Sequence, residues 1–120
     1  DLDMDGDLDL LANDRVFLNR NPAEANSVFV RLQGEGEGAT NRDAVGARVT
    51  AELNGRTIVR ERYGAHGTNV QDSPWLHIGL GNAESVSFDV WFPASDTTVV
   101  VEGLPAGARA TVSEYGEVSR

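Results

Sequence analysis

The sequence predicts an all-β fold, a small antiparallel β-sandwich or barrel of about seven to nine strands. Apolar and polar residues alternate along several segments, as Val28, Val30 and Leu32 do with Phe29 and Arg31. Turn-forming residues recur about every ten positions between these segments. No segment has the 3.6-residue apolar period of an amphipathic helix. Together these observations favour strands joined by short turns.

The expected strands follow one another along the whole chain. The first two form a hairpin within residues 8–18, where Asn13-Asp14 supplies the turn. Asn54-Gly55 is a strong signal for a second hairpin. The glycine-rich residues 34–38 are expected to form a loop without regular structure. The remaining strands are expected at residues 28–32, 45–53, 57–63, 75–81, 86–92, 97–101 and 108–115.

Composition narrows the class of protein and of partner. The chain has 120 residues, enough for one domain with a core. It has no cysteine, which excludes disulfides, thiol nucleophiles and zinc–thiolate sites. Its net charge of −9 gives no electrostatic reason to bind nucleic acid or an anionic membrane. No apolar run approaches the length of a membrane span.

The most specific chemistry lies in residues 1–9, where five aspartates alternate with other residues and Gly6 follows the third aspartate. Carboxylates this close raise one another's pKa unless a cation neutralises them. Calcium takes six to eight oxygen ligands, so the pattern predicts a Ca²⁺ site. The predicted ligands are the side chains of Asp1, Asp3, Asp5 and Asp9 and the backbone carbonyl of Asp7.

An EF-hand begins with similar spacing but does not fit this chain. It requires a bidentate glutamate at the twelfth loop position and a helix after it. The twelfth residue here is Ala12, and a short apolar run ending in the Asn-Asp turn follows the loop. We therefore expect a calcium loop that leads into a β-hairpin. A solvated acidic segment that binds no metal is the alternative interpretation.

The run Asp-x-Asp-x-Asp-Gly-Asp-Leu-Asp-Leu resembles the calcium loop of the FG-GAP/VCBS repeat, the unit of integrin-like β-propellers. A single copy is present, so residues 1–20 resemble the end of such a propeller. Two further blocks, residues 41–49 and 76–81, resemble the ASPIC/UnbV domain of cartilage acidic protein-like proteins. Residues 90–93 resemble the Val-x-Trp-Pro block of that family, with Phe92 inserted. This resemblance implies a second unit over residues 26–120.

The two resemblances imply an extracellular or cell-surface module that binds calcium and serves adhesion, matrix or surface assembly. They imply no reaction, and we expect no catalysis. A hydrolase would have to use His66 or His77 with Asp72, and no nucleophile motif accompanies them. His77 is more simply interpreted as a hydrogen-bonded structural histidine. Asp43 and Arg48 could form an ion pair that pins a loop to the sheet, which is an architectural role.

Two other functions remain open at this stage. A carbohydrate-binding module would use Trp75, Tyr63 and Trp91 as a stacking platform, and its polar groups would be Asp72, Asn69 and His66. A subunit of an extracellular polymer would associate with copies of itself through exposed strand edges. The partner, whether protein or glycan, is not identified by the sequence.

Overall fold

The computed structural model describes residues 1–3, 5–20, 26–68 and 71–120. Ten strands and no helix occur in these ranges, and none of their segments is a helix able to span a membrane. The strands are β1 (Leu10–Ala12), β2 (Arg15–Phe17), β3 (Asn26–Gln33), β4 (Arg48–Leu53), β5 (Arg56–Glu61), β6 (Trp75–Gly81), β7 (Ser85–Phe92), β8 (Thr97–Pro105), β9 (Arg109–Ser113) and β10 (Val118–Ser119).

Two four-stranded sheets form the body of the molecule, and this confirms the all-β prediction. One sheet has the order β10-β9-β3-β6, which we call the N/C sheet because it contains the first and the last strands of the sandwich. The other has the order β5-β4-β7-β8, which we call the central sheet. Pairing is antiparallel except between β3 and β9, which run parallel with Leu32 opposite Val112. The sequence had predicted antiparallel strands and gave no sign of this parallel pair.

The core lies between the two sheets and explains the alternation along each strand. Inward-facing residues of β3, β6 and β9 meet those of β4, β7 and β8 in one apolar cluster. Most outward-facing residues remain exposed or half-buried, as expected for sheets with one buried face, although Ser27 and Ser113 are buried. The buried apolar residues are Val28, Val30, Leu32, Ala44, Ala47, Val49, Ala51, Ile78, Leu80, Val86, Phe88, Val90, Phe92, Val99, Val101, Leu104, Ala110 and Val112.

The glycine-rich loop at residues 34–38 contains no strand, as predicted, but it is anchored by a buried carboxylate. Glu114 accepts hydrogen bonds from the backbone N–H of Glu35, 3.1 Å away, and from the Thr40 hydroxyl, 2.8 Å away. Burial alone raises the pKa of Glu114, but hydrogen bonds from the Ser95 and Thr40 side chains and from backbone N–H groups outweigh it. The net pKa is below the usual value, so Glu114 is an anion that holds the loop.

A separate two-stranded sheet, β1 and β2, precedes the sandwich. Asn13 and Asp14 have φ angles of 49° and 59°, the left-handed values that a tight hairpin turn of the I′ type requires. The predicted hairpin is therefore confirmed. Its large apolar side chains are more than half exposed on both faces, with Leu10 at 59% and Leu11 at 66%. The expected boundary between units 1–20 and 26–120 falls on residues 21–25, which lie outside the described residues.

Candidate metal centre

The acidic loop is closed by Asp9, which joins its beginning to the end of the hairpin. One carboxylate oxygen of Asp9 accepts the backbone N–H of Leu2 at 2.7 Å, and the other accepts that of Asn19 at 2.8 Å. These two backbone hydrogen bonds lower the pKa of Asp9 below its usual value. Gly6 turns the chain between Leu2 and Asp9, and its φ of 100° is a left-handed conformation that favours glycine.

The hydrogen bonds of Asp9 bring three of the five predicted ligands close together. Carboxylate oxygens of Asp1, Asp3 and Asp9 all lie within 4.8 Å of one another. The Oδ1 atom of Asp1 is buried and has no hydrogen-bond partner among the described residues. An anionic oxygen buried beside two other carboxylates is costly unless a cation or hydrogen-bond donor meets it. The donor set is oxygen only, which suits the hard ion Ca²⁺. The residues therefore fit the metal that the sequence predicts.

The other two predicted ligands are placed differently. Oδ1 of Asp5 accepts the backbone N–H of Asp7 at 3.0 Å, and neither residue belongs to the group of three. Asp5 instead lines a cavity of about 250 Å³, whose wall on the N/C sheet includes Phe29 and Arg109. Ligation by Asp5 and by the Asp7 carbonyl stays a prediction.

His77 connects the acidic loop to the sandwich. Its Nε2 atom is 2.7 Å from the carbonyl oxygen of Gly6, a hydrogen bond in which the imidazole N–H donates. The ring packs edge-on against Phe29 at a centroid distance of 5.2 Å, on the outer face of the N/C sheet. His77 is thus hydrogen-bonded, in agreement with the structural role expected from the sequence. Sequence alone gave no indication that its partner would lie in the calcium loop.

The structure separates the aromatic residues that the sequence had grouped into one stacking platform. Trp75 extends from the outer face of the N/C sheet, where the Arg109 guanidinium is 5.9 Å from its ring. Trp91 extends from the outer face of the central sheet, where Arg48 is 5.2 Å from its ring. Because the core separates these faces, the predicted joint platform of Trp75, Tyr63 and Trp91 is wrong.

The structure also places two pairs of residues that the sequence analysis named. Arg48 packs over Trp91 and makes no ion pair with Asp43 in the described part of the chain, so that expected pair is also wrong. His66 and Asp72, by contrast, form a contact pair, and Tyr63 packs edge-on against His66 at 4.6 Å. Asn69, the remaining polar residue of the proposed platform, lies outside the described residues.

Comparison with known proteins identifies one family. A family model described as "ASPIC and UnbV" matches residues 36–119, which include every strand of the sandwich except β3. The acidic loop and the hairpin precede the matched region. No curated protein and no solved structure matched the chain significantly.

Proposed function

The chain belongs to the ASPIC and UnbV family, and we propose that it is a non-catalytic, calcium-binding extracellular module for adhesion, matrix or surface assembly. The observation that carries this proposal is the convergence of Asp1, Asp3 and Asp9, in which a buried oxygen of Asp1 has no hydrogen-bond partner among the described residues. The family match covers most of the β-sandwich next to that site and names no reaction.

In the proposed site, Asp1, Asp3 and Asp9 hold the ion through carboxylate oxygens. Asp9 already accepts two backbone N–H groups, but each carboxylate oxygen has a second lone pair for the metal. Calcium neutralises the mutual repulsion of the loop, which holds five of the chain's nine net negative charges. The bound ion holds the loop in the conformation in which Gly6 accepts the hydrogen bond from His77. It thereby orders the residues that lead into the hairpin.

We further propose that residues 1–20 are a calcium loop and hairpin of the FG-GAP/VCBS type. The support is the hairpin's exposed apolar surface, because strands that are apolar on both faces are typical of sheets covered on both sides. Such a hairpin suits a module that works within a larger assembly. An extracellular location agrees with this proposal, since calcium there is abundant enough to fill sites with a Kd of about 10⁻⁴–10⁻³ M.

The non-catalytic part of the proposal is tested at His66 and Asp72, the acid–base pair found among the described residues. His66 contacts Asp72, but the His66 side chain is 63% exposed, a poor setting for the protected chemistry that hydrolysis needs. We expect no turnover of ester, glycoside or phosphate substrates by the chain. Turnover that is lost in His66→Ala or His77→Ala would contradict the proposal.

Calorimetric titration with calcium tests the metal site directly. We expect the chain to bind one Ca²⁺ with a Kd of about 10⁻⁴–10⁻³ M. Asp3→Asn should weaken binding about tenfold or more, because it removes one anionic ligand. Asp14→Asn is the matched control, since Asp14 lies in the exposed hairpin turn. Equal calcium affinity in both variants would rule out the assigned site. Asp5→Ala then decides whether Asp5 joins the ligand shell, as the sequence predicts.

A further inference from the structure

The outer face of the central sheet carries an ordered row of side chains around Trp91. On β4, Arg48 is the register partner of Trp91, and on β8 the partner is Thr98. One row further along, Asp89 lies between Thr50 and Val100. Since neighbours in one row share a face of the sheet, these side chains form a single outward surface.

The indole of Trp91 is held in place from two directions. Its Nε1 donates a hydrogen bond of 2.9 Å to a carboxylate oxygen of Asp96, and the Arg48 guanidinium lies 5.2 Å from its ring centroid. With its only N–H satisfied, the ring offers apolar surface to a ligand. Trp91 is only half-buried, so part of that surface is accessible. The side chain is therefore a fixed stacking element with little orientational entropy left to lose.

Two charged groups that have no ion-pair partner among the described residues lie beside this ring. In the part of the chain that the structure describes, the Arg48 guanidinium and the Asp89 carboxylate make no ion pair with each other or with another residue. Both lie on the wall of an open depression of about 300 Å³, which is completed by Thr50, Val59, Trp91 and Thr98. The depression thus presents hydrogen-bond donors, acceptors and hydroxyls next to a flat apolar surface.

We propose that this depression binds one unit of a neutral saccharide. A sugar ring combines an apolar C–H face, which packs on an aromatic ring, with hydroxyls that both donate and accept hydrogen bonds. The arginine and the aspartate on the wall carry opposite charges, and the Asp96 carboxylate that accepts the indole N–H repels an anion, so the site favours a neutral saccharide over an acidic one. A volume at the lower limit of about 300 Å³ for ligand sites suits one ring of a longer chain.

This site is independent of the proposed calcium centre. The acidic loop contacts His77 on the outer face of the N/C sheet, whereas Trp91 faces outward from the central sheet. Calcium removal should therefore leave saccharide binding unchanged. A chain that binds calcium but no saccharide contradicts this inference alone. A chain that binds saccharide but no calcium contradicts the calcium proposal alone.

The test uses the full chain and a panel of neutral oligosaccharides of glucose, mannose, galactose and xylose, with uronic acid oligosaccharides as the charged comparison. The chain contains two tryptophans, so Trp75→Phe leaves Trp91 as the only indole fluorophore. We expect at least one neutral oligosaccharide to change this emission saturably, in EDTA as well as in calcium. No response to any neutral member, or a response only to uronates, would overturn the proposal.

Two variants then locate the binding site on the sheet. Thr98→Arg places a long side chain in the depression from an exposed position, and we expect it to weaken binding at least tenfold. Gln33→Arg makes the same charge change on an exposed position of the N/C sheet and should leave affinity unchanged. Trp91→Ala should also lose binding about tenfold, the size of an aromatic contact. Calorimetry on folded variants that shows equal affinity for Thr98→Arg and Gln33→Arg would refute the site.

Discussion

The hairpin and the sandwich use apolar residues in opposite ways. In β7, apolar residues occupy alternate positions and are buried, as Phe88 and Phe92 are at 2% and 0% exposure. In the hairpin, Leu10 and Leu11 are adjacent, so they face opposite sides of a two-stranded sheet and both are exposed. The sandwich therefore buries a core of its own, whereas the hairpin contributes almost nothing to that core.

This difference indicates which interactions stabilise each of the two regions. The strands of the sandwich are stabilised by burial, which depends on nothing outside residues 26–120. The hairpin depends on its turn and on the acidic loop, which are both local, and on the part-buried Gly6–His77 hydrogen bond, which joins the loop to the sandwich. An isolated two-stranded sheet is marginal in water. Changes in the two regions should therefore have very different costs.

The largest contrast is expected between two phenylalanines. Phe92→Ala should lower the free energy of unfolding by about 3–5 kcal/mol, because it leaves a cavity in the core. Phe17→Ala, at 52% exposure in the hairpin, should change it by less than about 0.5 kcal/mol. Urea denaturation of both variants measures the difference. Similar losses would mean that the hairpin is part of the cooperative unit.

The next contrast concerns two glycines inside the sandwich unit. A Cβ at Gly34 would collide with the backbone carbonyls of Thr40 and Asn41, whereas a Cβ at Gly64 would meet nothing within 4 Å. Gly34→Ala should therefore destabilise the fold by about 3 kcal/mol, the upper end of the cost of overpacking. Gly64→Ala serves as the control and should be nearly neutral. Thermal unfolding of the two proteins checks this, and equal melting temperatures would show that the loop backbone can move aside.

A pH-dependent contrast follows from Glu114. Because its pKa is lower in the folded protein than in the unfolded chain, ionised Glu114 stabilises the fold above about pH 4.5. This stabilisation is lost as the pH falls through the lower pKa of the folded state. Glu114→Gln should cost about 1–3 kcal/mol at pH 7, since it weakens the acceptor for buried donors.

Exposed Glu102 on β8 provides the comparison for that variant. Glu102→Gln should leave both the stability at pH 7 and its acid limb unchanged. Denaturation measured between pH 3 and pH 7 separates the two variants. If Glu114→Gln loses stability on acidification as steeply as the unmodified chain, the acid sensitivity arises from other carboxylates.

The smallest expected effect is that of calcium on the sandwich. At millimolar calcium and a Kd of about 10⁻⁴–10⁻³ M, binding adds about 0.4–1.4 kcal/mol to the folded state. That is small beside a typical domain stability of about 5–15 kcal/mol. Hydrogen exchange with and without EDTA should therefore differ in the first twenty residues alone. Loss of protection in β4, β5, β7 and β8 would show that the metal stabilises the whole chain.

The sequence predicts well what depends on neighbouring residues. Residue patterns located seven of the ten strands with end shifts of up to four residues, Asn13-Asp14 located the first hairpin, and β10 was not predicted. The sequence predicts poorly the contacts between segments that are far apart in the chain. The contact of Glu114 with Thr40 joins residues 74 positions apart, and the parallel pairing of β3 with β9 spans a similar distance. No local pattern encodes either contact.

The candidate sites follow the same rule. The regular spacing of aspartates indicated the acidic loop, because all five predicted ligands lie within nine residues. Which oxygens converge depends on how Asp9 closes the loop onto Leu2 and Asn19, and spacing alone does not reveal it. The aromatic platform was predicted wrongly for a related reason. Trp75 and Trp91 are close in sequence, but they belong to different sheets with opposite outer faces.

The parallel pairing of β3 and β9 sets an order for folding during synthesis. Once translation has passed Pro105, all four strands of the central sheet have been made, and each pairs with a partner nearby in the chain. Strand β3 was made long before, yet one of its edges stays bare until β9 leaves the ribosome. A bare strand edge readily pairs with other chains. Chains that terminate before Arg109 should therefore aggregate, although nearly nine-tenths of the sequence is present.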